Sequence, residues 1–454
     1  MERLALKNII EWNNSKHRKP LMIYGARQVG KTYLIRELFA KKFYKNKFIY
    51  INLKFDDEIR NFINGEGIYS NLGPTSSANK IMNQISLRNN VVIDSSTLLI
   101  LDEIQEAMPA ITALKDFKEN YPDIPVIASG SLVRIKIKRA SNKRGTKFFY
   151  PIGSIDEMTL YPMNFEEFLL NSNRMLYEKV VNSYNEKKPL DLPIHDLAMQ
   201  YLKNYLLVGG LPENVEIYLD SNSHFNARKN LINIYNDYLN DIDLYDLPTE
   251  STLKARKLFK NIYVEINRPQ SDFRPSIFDE GKKTRDYLTQ MELLELAGII
   301  YRNKRLKEHI TLPVKEADGA NYRIYFHDLG FLAYQSEINM ADFLHGKNTN
   351  MGVFFENYIA SELSSYGIDL FYWKGKNDYE FEFIVKENDD IIPIDVKKGR
   401  GALGSIKEFK NHNSSTKFVK VSNNFYGFDE ENHILTIPLY SFFMYAKELD
   451  NKLK

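Results

Sequence analysis

The sequence contains no cysteine, which excludes disulfides, thiolate zinc sites and a cysteine nucleophile. It has no run approaching 18 consecutive apolar residues, so neither a transmembrane helix nor a membrane partner is expected. It has little excess of either charge: Lys+Arg number 61 and Asp+Glu 59, a formal net charge of +2. That balance excludes a highly basic chromatin-type protein while leaving room for a local basic patch. Met1 to Asn14 alternates charged with apolar residues and lacks the uncharged core of a signal peptide, so the expected location is cytoplasmic. Internal repeats and low-complexity tracts are also missing.

What remains is ordinary globular material, 43% hydrophobic and 26% charged over 454 residues. At roughly 150 residues per domain this is enough for about three domains. The 29 Tyr and 28 Phe read first as core packing and only second as platforms for bases.

Short apolar runs set the organisation. Leu6, Ile9 and Ile10 recur at helical spacing. Leu21–Tyr24, Phe48–Leu53, Leu98–Leu101 and Val126–Ala128 read as strands separated by helical stretches, and a fifth strand is expected within Glu157–Tyr161. Such an alternation predicts an α/β domain built on a parallel, doubly covered sheet, residues 1–170. Residues 171–345 read as mainly helical, with a stop and turn at Gly209-Gly210-Leu211-Pro212. There the helix Thr284–Leu296, followed by strands at Ile299–Tyr301 and Ile324–Phe326, suggests a winged helix. Residues 346–454 form a separate α/β block.

Gly25-Ala26-Arg27-Gln28-Val29-Gly30-Lys31-Thr32 fits the P-loop pattern between an apolar strand and a helix. Its glycines let backbone N–H groups surround phosphate oxygens, and the helix N-terminus adds positive charge. Lys31 is placed to reach the β- and γ-phosphates and Thr32 to ligate Mg²⁺. About 70 residues on, Asp102 ends an apolar strand where a magnesium carboxylate is needed, and Glu103 stands as the base for an attacking water. Ser129, at the end of the next strand, could sense the γ-phosphate. An Asn-Lys-x-Asp guanine reader is missing, so ATP is the expected nucleotide.

From Ser131 to Lys147 there are seven basic residues and no acidic one: Arg134, Lys136, Lys138, Arg139, Lys143, Arg144 and Lys147. The run reads three ways: a solvated loop, a nucleic-acid contact, or a source of an arginine reaching the nucleotide of a neighbouring subunit in a homo-oligomer.

With Leu101-Asp102-Glu103-Ile104-Gln105, Ala128–Leu132, Leu160–Phe168, Gly209–Glu213, Tyr325–Leu332 and Phe355-Glu356-Asn357 in this order, the chain resembles a family over nearly its whole length. That family is the bacterial and archaeal AAA+-type ATPases carrying a C-terminal PD-(D/E)XK nuclease-like domain. The resemblance implies an AAA+-like P-loop core, a helical and winged-helix middle, and a restriction-endonuclease-like end.

A nuclease of this type needs carboxylates from adjacent strands around Mg²⁺ and a lysine near the attacking water. Asp395 and Lys397, two apart on a strand, share a face, as do Glu380 and Glu382. Glu356, on the preceding helix, is a third acidic candidate. The first metal carboxylate of the family is normally Asp, and the matching position here is Glu382. Asp395 is shorter where Glu is usual. The cluster therefore reads as an active nuclease, a binding-only nuclease fold, or structural charge. The resulting expectation is an ATP-hydrolysing protein, with ATP and Mg²⁺ as ligands, that couples the nucleotide to engagement of DNA through its winged-helix and nuclease-like regions. The alternatives are a nucleotide sensor whose C-terminal domain recruits a protein partner, and an ATP-gated metal-dependent DNA nuclease.

Overall fold

The computed structural model describes residues 1–142, 149–245, 247–268, 272–317, 319, 321–347, 350–396 and 403–453. The chain forms two compact units, Arg3–Tyr161 and Pro162–Lys454 together with Met1–Glu2.

The first unit is a five-stranded parallel sheet of β1 (Leu21–Tyr24), β2 (Phe48–Asn52), β3 (Leu98–Asp102), β4 (Val126–Ser129) and β5 (Asp156–Thr159), in the order β2-β3-β4-β1-β5. β1, β3 and β4 are buried along their whole length, which requires cover on both faces and explains their unbroken apolar runs. Met22, Leu99, Leu101 and Ala128 pack with Ile59, Ile81, Ile85 and Leu114 of the helices Asp57–Asn64, Ala78–Asn89 and Met108–Asn120. β5 is only half-buried because it is an edge strand. The strand ends β1, β3 and β4 thereby lie side by side, which gathers the sequence-distant motifs at one rim. The helix after β1 has π-type hydrogen bonding over Tyr33–Ala40 before an α-helical turn at Lys41–Phe43.

In the second unit, the helices Phe165–Ser172, Leu192–Val208, Met351–Ser365 and Phe442–Leu453 share an aromatic core. Phe165 lies 5.7 Å from Tyr205, 6.1 Å from Tyr358 and 6.2 Å from Phe443 between ring centres. The sheet of this unit has eight strands in the order β12-β13-β11-β10-β9-β8-β6-β7. They are β6 (Ile300–Arg305), β7 (Tyr322–Phe326), β8 (Phe371–Lys374), β9 (Glu380–Glu387), β10 (Asp390–Val396), β11 (Phe418–Ser422), β12 (Gly427–Asp429) and β13 (Ile434–Pro438).

The structure differs here from the expected organisation. The hairpin β6–β7, expected as a wing on a separate middle domain, forms one edge of the C-terminal sheet through parallel pairing of β6 with β8. Sequence periodicity identifies the two strands but carries no information on which sheet they join. The first compact unit ends at Tyr161. Met163 donates from its N–H to Gly210 O at 2.7 Å and accepts from Tyr205 OH at 2.8 Å. A Cβ on Gly210 would stand 2.0 Å from Met163 O, so the glycine pair at 209–210 permits this close backbone approach. Asp328 accepts from Gly210 N at 2.6 Å and Gly330 N at 2.9 Å, joining two further motifs that are remote in sequence.

Candidate functional site

The P-loop follows β1 directly. Gly25 has φ +152, and a Cβ there would meet Leu160 O at 2.3 Å, so the loop leaves the strand only as glycine. Gln28 and Gly30 also adopt positive φ, 59° and 88°. Lys31 is 7% exposed, and its ammonium donates to Gly25 O at 2.9 Å and Ala26 O at 2.8 Å. Burial brings its pKa down to about 8, with Glu103 and Asp102 opposing the shift. An ammonium so placed is a desolvated cation bound to neutral carbonyls.

Asp102, at the end of β3, is 2% exposed and is the centre of the site. Its Oδ2 accepts from Thr32 Oγ1 at 2.8 Å and Tyr50 OH at 2.7 Å. Its Oδ1 accepts from Ser129 Oγ at 2.5 Å and the Glu103 N–H at 3.0 Å. Of the expected nucleotide-site residues, Thr32, Ser129 and the Glu103 amide therefore meet around this carboxylate, whereas the Lys31 ammonium bonds to the loop carbonyls. Glu103 adopts a left-handed backbone, φ 52° and ψ 45°, a conformation costing about 1–3 kcal/mol for a non-glycine residue. Its carboxylate accepts from the side chain of Gln105.

Sequence reasoning missed Tyr50. It lies on β2 two residues before Asn52, which is the register partner of Asp102. The signal was a polar alternation, Tyr50 then Asn52, within an otherwise apolar run, but it points to Asp102 only once β2 is known to neighbour β3. Burial, and secondly Asp102, push the Tyr50 hydroxyl up to about 12, so it is a lasting donor. In the basic run, the Arg134 guanidinium lies 4.4 Å from the centre of the Tyr24 ring and donates to Thr159 Oγ1 at 2.8 Å, and is thus engaged inside the unit. Lys143, Arg144 and Lys147 lie outside the described residues.

The C-terminal candidates sit on the second sheet. Glu382 is 2% exposed and accepts from Val396 N at 3.0 Å through Oε2. Asp395, also buried, follows the Ile394–Phe383 pair of the antiparallel β9–β10 ladder, which places it opposite Glu382. Glu380 accepts from Arg323 Nη2 at 2.6 Å, and Glu356 accepts from Tyr325 OH at 3.4 Å. Lys397 lies outside the described residues. Arg323, on β7, was not anticipated. It is buried beneath Tyr372, 4.3 Å from the ring centre. Burial alone would lower its pKa, but Tyr325, Glu380, Glu356 and Glu382 around it hold the pKa above the ordinary value. Among the described residues no group of three or more His, Asp or Glu side chains could hold a metal ion.

Residues 17–169 match the AAA domain family. Two domains of unknown function match further on, DUF8612 over residues 199–342 and DUF4143 over residues 351–440. The chain is 24% identical over 423 residues to the uncharacterized protein MJ1544 of Methanocaldococcus jannaschii, spanning 88% of this chain and 80% of that protein. It is similar to the Walker-type ATPase PABY2304 of Pyrococcus abyssi, with a TM-score of 0.44 and 14% identity over 74% of this chain and 95% of that one. The AAA match and the five-stranded parallel sheet fit a P-loop NTPase fold for the first unit. Among the described residues no helix is long and apolar enough to cross a membrane.

Proposed function

We propose that the protein binds ATP with Mg²⁺ at Gly25–Thr32, hydrolyses it, and uses the cycle to engage DNA. The observation that carries the reading is the convergence of Thr32, Ser129 and the Glu103 amide on Asp102. Thr32 Oγ1 and the Asp102 carboxylate, 2.8 Å apart, are hard oxygen donors of the kind Mg²⁺ takes in small number. Thr32 would hold the ion directly and Asp102 through water. Bound there, the ion supplies positive charge to the β- and γ-phosphate oxygens.

The protein's own groups then have distinct tasks. Lys31 exchanges the Gly25 and Ala26 carbonyls for phosphate oxygens, trading neutral acceptors for charged ones. Glu103 takes a proton from the water that attacks the γ-phosphorus. The bond to the β–γ bridging oxygen breaks, and ADP leaves with that electron pair. Asp102 fixes the Glu103 backbone, and Gln105 orients its carboxylate.

Engagement of DNA is supported by the partly exposed Lys136, Lys138 and Arg139 on the helix Val133–Asn142. A second reading, recruitment of a protein partner by the C-terminal sheet, is favoured by Arg323, which already supplies positive charge among the carboxylates there. A third, cleavage of DNA, would need Glu382, Asp395 and Lys397 around a metal ion. The test is ATP binding and turnover by wild type, Lys31→Ala and Glu103→Gln, with and without single-stranded or duplex DNA at two salt concentrations. Lys31→Ala should lose binding. Glu103→Gln should bind ATP and turn over about 100-fold or more slowly, and DNA should raise the wild-type rate at the lower salt. Wild-type turnover by Glu103→Gln would remove that residue from its role, and a rate indifferent to DNA would leave partner recruitment.

A further inference from the structure

Arg3 and Tyr161 are the first and last residues of the nucleotide-binding unit. The Arg3 side chain is 6% exposed, unusual for an arginine. Its Nη1 donates to Val29 O and its Nη2 to Tyr161 O, both at 2.8 Å. A guanidinium is a rigid planar fork, so two bonds from its two ends fix the separation of the two carbonyls.

The Val29 carbonyl belongs to the same planar trans peptide as the Gly30 N–H, and the two point in opposite directions. Holding Val29 O on Arg3 therefore aims the Gly30 N–H away from Arg3. Gly30, with φ 88°, precedes Lys31 and is one of the loop positions whose amide serves a phosphate. The other end of the fork holds Tyr161, whose predecessor Leu160 donates to Tyr24 O at 2.8 Å and stands against Gly25. Two points of the P-loop are thus referred to the same short stretch, Leu160–Tyr161, Gly25 by direct packing and Val29 through Arg3.

We propose that Arg3 is a positioning residue of the nucleotide site, which pre-orients the Val29–Gly30 peptide for phosphate by bracing it against the chain leaving β5. It rests on the reading of Gly25–Thr32 as an ATP site. A loop held in its binding conformation loses less freedom on binding, so the brace acts on affinity. Beyond Tyr161 the chain is fixed again in the second unit, where Phe165 N donates to Glu362 Oε1 at 2.8 Å.

Arg3→Ala and Arg3→Lys test this in the full chain, with ATP and Mg²⁺ as probe. Nucleotide dissociation constants, KM and kcat are measured alongside the unfolding temperature without nucleotide. Arg3→Ala should weaken ATP binding and raise KM by about tenfold or more, with kcat at saturation within about threefold of wild type. Arg3→Lys keeps the charge but cannot span both carbonyls, and should fall between. If Arg3→Ala does not fold, Arg3→Lys carries the test, and wild-type affinity in it overturns the proposal. So does an Arg3→Ala protein with a lowered unfolding temperature but wild-type ATP affinity, since Arg3 would then serve the fold alone. A wild type that binds no ATP overturns the ATP site and the brace together, whereas normal wild-type binding with unchanged variants overturns the brace alone.

Discussion

Asp102 in the first unit and the acidic cluster on the C-terminal sheet are held in opposite ways. Asp102 accepts four hydrogen bonds, and every donor is neutral: two aliphatic hydroxyls, a phenol and a backbone amide. Three of the C-terminal carboxylates gather instead around a guanidinium, with Arg323 bonded to Glu380 and drawn upward in pKa by Glu356 and Glu382 as well. Neutral donors hold an oxygen in place and leave its charge to act on an incoming cation. A resident arginine satisfies the charge in advance. On the proposed function, the contrast leaves Asp102 open to an incoming cation, whereas Glu380 already has one in Arg323.

The largest effect that could break this contrast is at Arg323. Arg323→Met should destabilise the protein by about 3–5 kcal/mol, because it leaves carboxylates without the charge that offsets them. Glu380→Gln in the same chain should recover part of the loss, since the two residues are in contact. Urea denaturation of the single and double variants measures both. Unchanged stability in Arg323→Met would remove the resident cation from the account. A thermal shift on adding Mn²⁺ that disappears in Glu382→Gln would show that a metal competes for the same place.

What was legible in the sequence follows the same division. The P-loop is contiguous and Asp102-Glu103 ends an apolar strand, so residue type and spacing identify both without a fold. β1 was expected at Leu21–Tyr24 and is found there; β3 and β4 each extend one residue past the expected runs, to Asp102 and Ser129. Tyr50, Arg3 and Arg323 were not legible, because each acts on a partner 26 or more residues away and has no motif of its own. Their roles depend on strand order and register, which local periodicity does not encode. Glu380 and Glu382 were expected to share a face of β9, and both act on Arg323. What occupies the Glu face is decided by Arg323 on β7, two strands beyond β8 in the sheet.

Another buried carboxylate sharpens the comparison because, among the described residues, neither a hydroxyl nor an arginine donates to it. Glu362 is 1% exposed and accepts from Phe165 N. Burial, with Glu166 and Glu167 adding to it, pushes its pKa up to about 8 against a pull from the Phe165 amide. Tyr205, Tyr358 and Tyr366 also face it. The native state thus holds a proton that the unfolded chain releases between about pH 4.5 and pH 8. Stability from this group is present at the acid end of that window and is lost as the pH rises through it, by at most about 1.4 kcal/mol per pH unit. Glu362→Gln keeps an acceptor for Phe165 N and removes the titration, so denaturation midpoints should fall less steeply across the same window. An unchanged slope would assign the pH dependence to other groups.

The smallest effect is at Tyr50, and it tests whether neutral donors are separable from the chemistry they surround. Tyr50→Phe removes one of two hydroxyls on Asp102 Oδ2 and leaves Thr32 on the same oxygen. Tyr50 is partly exposed, so water can replace the lost bond and the cost should be about 1 kcal/mol. The Asp102 carboxylate keeps its charge and its bonds to Ser129 and Glu103, so KM for ATP and kcat should each stay within about threefold of wild type. Asp102→Asn is the counterpart. An amide presents an N–H where the carboxylate accepted, which turns at least one of the four donors away and loses the charge, and turnover should fall by about 100-fold or more. Tyr50→Phe losing as much turnover as Asp102→Asn would mean that the phenol takes part in the reaction, and the description of Asp102 as a carboxylate held ready by passive donors would fail.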